Sequence, residues 1–185
     1  MKILKPDLCV EGLSDIDLGY WYRRGIRCIL VDLDNTISPW GTTMITEEAK
    51  DLVEKSRSVG ISVILFTNAA EARAREIAWD VGISYYASAK KPLPFYYKKA
   101  ITELSYADGE IMTVGDQIFT DVLGGNLNGC ITVLTSPLSS EEFSGTKMLR
   151  LLEKLIVGRK IVFRDRLYSA NGGSSVEHAF EKDGV

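Results

Sequence analysis

Four short groups of polar residues in this chain have types and spacings that could do chemistry. Asp32 and Asp34 lie two apart at the end of the apolar run Cys28-Ile29-Leu30-Val31. If extended geometry persists that far, their side chains point to the same side. Two carboxylates forced together repel each other and lose solvation. A cation between them relieves the repulsion, and Mg²⁺ favours such hard oxygen ligands. One of the pair could act as a nucleophile, since carboxylates form aspartyl-phosphate intermediates. Two aspartates alone are also compatible with a solvated strand-to-loop turn. The other groups are Thr67-Asn68, Lys90-Lys91, and Asp116 with Asp121. Taken singly, Thr67-Asn68 reads as a helix cap, Lys91 as a surface lysine and Asp116 as a turn. Taken together, the groups supply a nucleophile, an acid, a hydroxyl donor, a cation and metal carboxylates. Phosphoryl transfer needs such a set.

The elements that must position these groups alternate along the chain. Strands are predicted over 27–33, 61–66, 83–87, 110–114 and 130–134. Thr46 caps a helix that runs to Val59, where Gly60 stops it. Asn68 can cap a second helix over 71–81, stopped by Gly82. Further helices are expected over 95–106, briefly over 119–123, and over 146–157, with Gly124-Gly125-Asn126 as a loop. Residues 7–26 form a mixed segment with a helix start near Ser14-Asp15-Ile16-Asp17. Strands alternating with helices imply an α/β fold, doubly wound and Rossmann-like, with a five-stranded parallel sheet. One crevice then opens at the carboxyl ends of the strands.

Composition narrows the function classes. Hydrophobic residues make up 45% and charged residues 25% of the 185 residues, as in an ordinary globular chain. The formal net charge of −3 argues against a general nucleic-acid binder. Cys9, Cys28 and Cys130 are scattered and make no zinc spacing, so buried or free thiols in a reducing compartment are expected. The start, Met1-Lys2-Ile3-Leu4-Lys5-Pro6, is too short and polar for a signal peptide, and no stretch has the length of a transmembrane helix. His178, the single histidine, lies in the C-terminal tail and is expected to be neither ligand nor base.

Asp32-Leu33-Asp34-Asn35-Thr36, Thr67, Lys91 before Pro92, and Gly115-Asp116 with Asp121 resemble the four motifs of the haloacid dehalogenase (HAD) superfamily phosphatases. Ser38-Pro39-Trp40, Ala89-Lys90-Lys91-Pro92-Leu93-Pro94, the block from Val114 to Asn126, and Phe143-Ser144-Gly145-Thr146-Lys147 are similar to the YqeG-like family of subclass III. The similarity covers roughly residues 6–165, in the right order.

The resemblance implies a role for each matched residue. Asp32 attacks phosphorus and becomes the phospho-aspartate. Asp34 protonates the leaving alcohol, later deprotonates water, and ligates Mg²⁺ through its backbone carbonyl. Thr67, with Asn68, binds the phosphoryl group. Lys91, preferred to Lys90 because it directly precedes Pro92, neutralises nucleophile and phosphate. Asp32, Asp34 and Asp116 hold Mg²⁺. Asp121 supports the metal or Lys91, and Thr36 orders the loop. Many HAD enzymes carry a cap domain. Here 35–45 is too short to fold alone, and the third strand runs almost directly into Lys91, so an open, capless site is expected. The implied organisation is one phosphatase domain over 1–165 and a flexible tail over 166–185.

An open site suits a phosphate presented on something large. Segment 146–166 carries Lys147, Arg150, Lys154, Arg159, Lys160, Arg164 and Arg166 against only Glu153 and Asp165. Met148, Leu151, Leu152 and Leu155 form an apolar stripe at helical spacing. This is either a helix with a solvated basic face or a face that meets anionic lipid. The family includes phosphatidylglycerophosphate phosphatases of mitochondria and plastids, so phosphatidylglycerophosphate is the first substrate expected. A cytoplasmic location, peripheral on the inner face of the membrane, goes with that reading. Two alternatives stand: a phosphatase of soluble esters, and a protein-binding module that keeps the fold.

Overall fold

A computed structural model describes residues 2–107 and 109–139. The predicted helix over 146–157, the basic segment and the tail lie outside the described residues. In chain order the strands are β1 (Leu8–Val10), β2 (Cys28–Val31), β3 (Ser62–Phe66), β4 (Ser84–Tyr86), β5 (Ile111–Gly115) and β6 (Ile131–Thr135). The helices are α1 (Leu18–Arg23), α2 (Glu47–Val59), α3 (Glu71–Val81), α4 (Pro94–Leu104) and α5 (Leu123–Leu127).

The sheet has six strands in the order β1-β6-β5-β2-β3-β4, all parallel, rather than the five expected. The extra strand, β1, spans three residues, too few to show a period-two pattern. It is seated by Asp7, whose carboxylate accepts from the Thr132 N–H at 2.9 Å.

The central strand β2 is buried along its whole length. Ile29 and Val31 join Val63, Leu65, Met112 and Val114 in the core on one face, with Leu52, Val53, Ala74 and Ile77. Cys28 and Leu30 join Ile64, Phe66, Tyr97 and Ala100 on the other. Alternate residues thus feed opposite faces, as a strand covered on both sides requires.

Topology places the crevice. From β2 the chain proceeds to β3 and β4 on one side, whereas β5 leads to β6 on the other. Neighbouring strands β2 and β5 therefore form the switch point, where a crevice opens at the carboxyl ends. Val31 is in register with Val114, so Asp32 and Asp116 follow the tips of adjacent strands.

Two local expectations need correcting. Asn68 does not cap α3: the N-cap is Ala70, and no side chain bonds there. Gly124-Gly125-Asn126 is not a loop but part of α5, which follows a π-helical turn over Ile118–Val122. A Cβ at Gly124 would collide with the Tyr97 ring, and one at Gly125 with Thr113 and Thr132. These glycines serve close packing of a helix, not a turn.

Candidate active site

Each group singled out in the sequence lies at the carboxyl edge. Asp32, Thr67, Lys91, Asp116 and Asp121 are all buried. The Lys91 Nζ lies 2.5 Å from Asp32 Oδ1 and 2.5 Å from Asp121 Oδ1, so one ammonium bridges two carboxylates. Burial alone would lower the Lys91 pKa, but Asp121 and Asp32 more than offset it and hold Lys91 charged. Burial pushes Asp32 up to about 7, against the attraction of Lys91. The second oxygen of Asp121 accepts from the Gln117 N–H at 3.2 Å and the Thr120 hydroxyl at 3.1 Å. Asp121 is thus placed on Lys91 and also braces the turn after β5. Gly115 makes this possible, because a Cβ there would strike the Asp121 carboxylate.

Asp32, Asp116 and Asp121 each offer a carboxylate oxygen, and these oxygens lie within 4.8 Å of one another. Three carboxyl groups share one ammonium in this buried pocket, so ionising all of them would leave negative charge uncompensated there. A divalent cation with a preference for oxygen would cancel it, so the donor set fits such an ion. Soft ligands are missing from this group, which argues against a structural zinc site.

Asp34 takes a different position. Its carboxylate accepts from the Gly41 N–H at 3.0 Å and pairs with Arg73 Nη1 at 2.8 Å. It is therefore not one of the three clustered carboxylates. The extended geometry does not persist past Leu33: Asn35 has φ 60°, and the Leu33 carbonyl accepts from the N–H groups of Thr36, Ile37 and Ser38. Thr36 is buried in this turn, and its hydroxyl has no hydrogen-bond partner among the described residues.

The Thr67 hydroxyl accepts from the Ala69 N–H at 3.0 Å, which leaves its own proton to donate. Asn68 grips the main chain of Lys91 at both ends. Its Oδ1 accepts from the Lys91 N–H at 2.8 Å, and its Nδ2 donates to the Lys91 carbonyl at 3.2 Å. That engagement is why it is not free to cap α3. Among the described residues, three of the four non-glycine residues at positive φ, Asn35, Ser88 and Lys90, fall in the loops of this edge. Such backbone is sparsely populated for side-chain-bearing residues and gathers at functional sites.

Sequence reasoning missed Arg73. It stands in the first turn of α3, and its Nη1 holds Asp34 while its Nε donates to the Thr42 carbonyl at 2.8 Å. Its place six residues after Thr67 was the only signal, and a helical Arg reads as a surface charge. Cys28 and Cys130 are buried thiols, and burial pushes Cys28 up to about 12, so it is inert.

A family model described as mitochondrial PGP phosphatase matches residues 1–139. The chain belongs to that family. Among the relatives of this PGP phosphatase family member is the "Probable phosphatase YqeG" of Bacillus subtilis, 30% identical over 156 residues, which cover 84% of this chain and 91% of that one. Phosphatidylglycerophosphate phosphatase 1, chloroplastic/mitochondrial, of Arabidopsis thaliana is 28% identical over 168 residues. The match covers 85% of this chain but 48% of the plant protein, so the chain spans about half that relative's length. The D,D-heptose 1,7-bisphosphate phosphatase of B. bronchiseptica, solved with magnesium and phosphate, shares the fold. Its TM-score is 0.50 at 14% identity, covering 59% of this chain and 80% of that one.

The family member is accordingly a HAD-type phosphatase that acts on a phosphorylated substrate. No cap is evident among the described residues: 32–46 between β2 and α2, and 87–93 between β4 and α4, contain no further helix or extended sheet strand.

Proposed function

We propose that this protein is a Mg²⁺-dependent phosphomonoesterase that works through a phospho-aspartate on Asp32. The observation that carries this reading is the buried Asp32 carboxylate at the switch point, sharing Lys91 with Asp121 and clustered with Asp116. Lys91 keeps Asp32 from repelling an incoming phosphate. Thr67 donates its hydroxyl proton to a phosphoryl oxygen. An Asp32 oxygen bonds to phosphorus, the bond from phosphorus to the substrate oxygen breaks, and Asp34 gives its proton to that departing oxygen. Water then attacks the phosphorus of phospho-Asp32, Asp34 takes up a proton, and inorganic phosphate leaves with the carboxylate restored. Asp32, Asp116 and the Asp34 backbone carbonyl would hold Mg²⁺, which would supply polarisation of the phosphoryl oxygens. Asn68 serves through Lys91, by seating its main chain. Residues 1–165 make up the catalytic domain, with 166–185 outside it.

Arg73 acts as a positioning residue for Asp34 in this scheme. Arg73→Ala is expected to lower kcat by roughly 10- to 100-fold, the scale of one lost charge-assisted hydrogen bond. The Asp34→Asn/Arg73→Ala double variant should be no slower than Asp34→Asn alone, because both changes disable the same group. Additive losses would show that Arg73 acts elsewhere.

Phosphatidylglycerophosphate at a membrane surface is the proposed substrate. Family membership, the plant relative and the open site support it. Among the described residues no helix is long and apolar enough to cross a membrane, so any lipid contact made by them is peripheral. Each Lys or Arg near an anionic bilayer contributes about 1 kcal/mol, screened by salt. Hydrolysis of vesicle-borne substrate should therefore fall as salt rises, while hydrolysis of a small soluble ester changes little. Charge reversal at Arg150, Lys154 and Arg159 should give the same split. Equal loss on both substrates would indicate a folding defect. Unchanged activity on vesicles would make the basic segment a solvated face and favour soluble esters.

A further inference from the structure

We infer that the loops around the site mouth form an apolar rim that inserts into an anionic lipid surface and points the phosphate site at the bilayer. This rests on the lipid-phosphate reading above and adds to it the face that docks. Trp40 is 38% exposed, Met44 72%, Leu93 52%, Phe95 71% and Leu138 41%. Large apolar side chains exposed singly need no explanation, but several on one rim do.

Trp40, Met44, Leu93 and Leu138 lie on three loops of one edge, Phe95 stands in the first turn of α4 directly after one of them, and each loop is tied to the site. Trp40 and Met44 flank Gly41 and Thr42, which bond to Asp34 and Arg73. Leu93 and Phe95 follow Lys91, and the Leu93 N–H donates to the Lys90 carbonyl at 3.0 Å. The Leu138 N–H donates to the Asn35 carbonyl at 3.0 Å. The rim therefore stands around the entrance to Asp32.

Charge selects the partner. Stretches 39–46, 88–98 and 136–139 contain no Asp or Glu, in a chain with 25 acidic residues. Their exposed charges are Lys90 and Lys98. Lys90 Nζ sits 5.0 Å from the Tyr96 ring centroid. A tryptophan, a phenylalanine and aliphatic side chains beside lysines, with the nearby Asp34 carboxylate paired to Arg73, suit the interface of an anionic bilayer. An acidic exposed rim would be repelled by it.

Trp79 supplies an internal control. It is 87% exposed, more than any rim residue, but lies near the end of α3. α3 runs back from the carboxyl edge, so Trp79 sits at the opposite edge of the sheet. The test is co-sedimentation of the full chain with phosphatidylcholine vesicles containing phosphatidylglycerol and no phosphomonoester. Wild type should bind, Trp40→Ala/Phe95→Ala should bind roughly tenfold or more weakly, and Trp79→Ala should match wild type. All three should hydrolyse a soluble aryl phosphate alike, which shows that fold and chemistry are intact. Absence of wild-type binding would overturn the proposal. So would equal weakening by Trp79→Ala, or a rim variant that changes oligomeric state and leaves vesicle binding untouched. Binding lost only in the rim variant, together with no hydrolysis of phosphatidylglycerophosphate, would retain the docking face and remove the assigned substrate.

Discussion

Asp32→Asn is expected to reduce turnover by about 10⁴-fold or more, because an amide cannot form the acyl phosphate on which both steps depend. The substitution is nearly isosteric, and Lys91 keeps its contact with Asp121. The fold should therefore survive. The pKa of Asp32 gives that expectation a sign. Burial raises it to about 7 in the metal-free protein, above the ordinary unfolded value of about 3.9. Such a carboxyl binds its proton more tightly when folded. Its contribution to stability is fully present below about pH 4 and is lost as pH rises through about 7. Asparagine carries no such charge, so above pH 7 the metal-free variant should melt no lower than wild type. Activity on a generic aryl phosphate and a thermal melt at pH 8 check both halves. A wild-type rate in the variant would refute the nucleophile. A large drop in Tm would mean that the lost activity reflects folding.

Much of this site was legible because its residues follow strand tips. A buried strand reads as an apolar run, and the first polar residue after it must lie at the sheet edge. Asp32 after Val31, Thr67 after Phe66 and Asp116 after Gly115 are each found that way. Lys91 was harder, since its loop leaves β4 only after Ala87-Ser88-Ala89 and turns on positive-φ residues. The motif resemblance, not periodicity, singled it out. Arg73 and the double grip of Asn68 on Lys91 were illegible for a different reason. Both are contacts between elements, and a helix cap was the nearest local use for Asn68. Tertiary partners outbid that local one. β1 was lost to its length, and α5 to the turn-like look of paired glycines. Where a residue's partner lies across the crevice, only the motif resemblance pointed to it, as for Lys91 with Asp32 and Asp121.

Removing divalent metal is expected to stop turnover altogether, and to do so without unfolding the protein. Asp32, Asp116 and Asp121 meet in one buried pocket with Lys91 as the cation that bridges two of them. An ion that binds only the folded state stabilises it by RT ln(1 + [L]/Kd), about 2.7 kcal/mol at a hundredfold excess over Kd. Mg²⁺ should therefore raise Tm in a concentration-dependent way, independently of any substrate. Asp116→Ala should abolish most of that rise and shift the Mg²⁺ needed for half activity upward. Asp121→Asn makes a useful contrast, because Asp121 lies on Lys91 through one oxygen and braces Gln117 and Thr120 through the other. Its loss should weaken the hold on Lys91 and lower kcat while leaving more of the Mg²⁺ effect on Tm. Dialysis against EDTA, followed by assay in excess chelator and then in restored Mg²⁺, measures the activity side. Full activity in EDTA would remove the metal from the mechanism. A Tm that ignores Mg²⁺ while activity requires it would move the ion from the free pocket to the substrate complex.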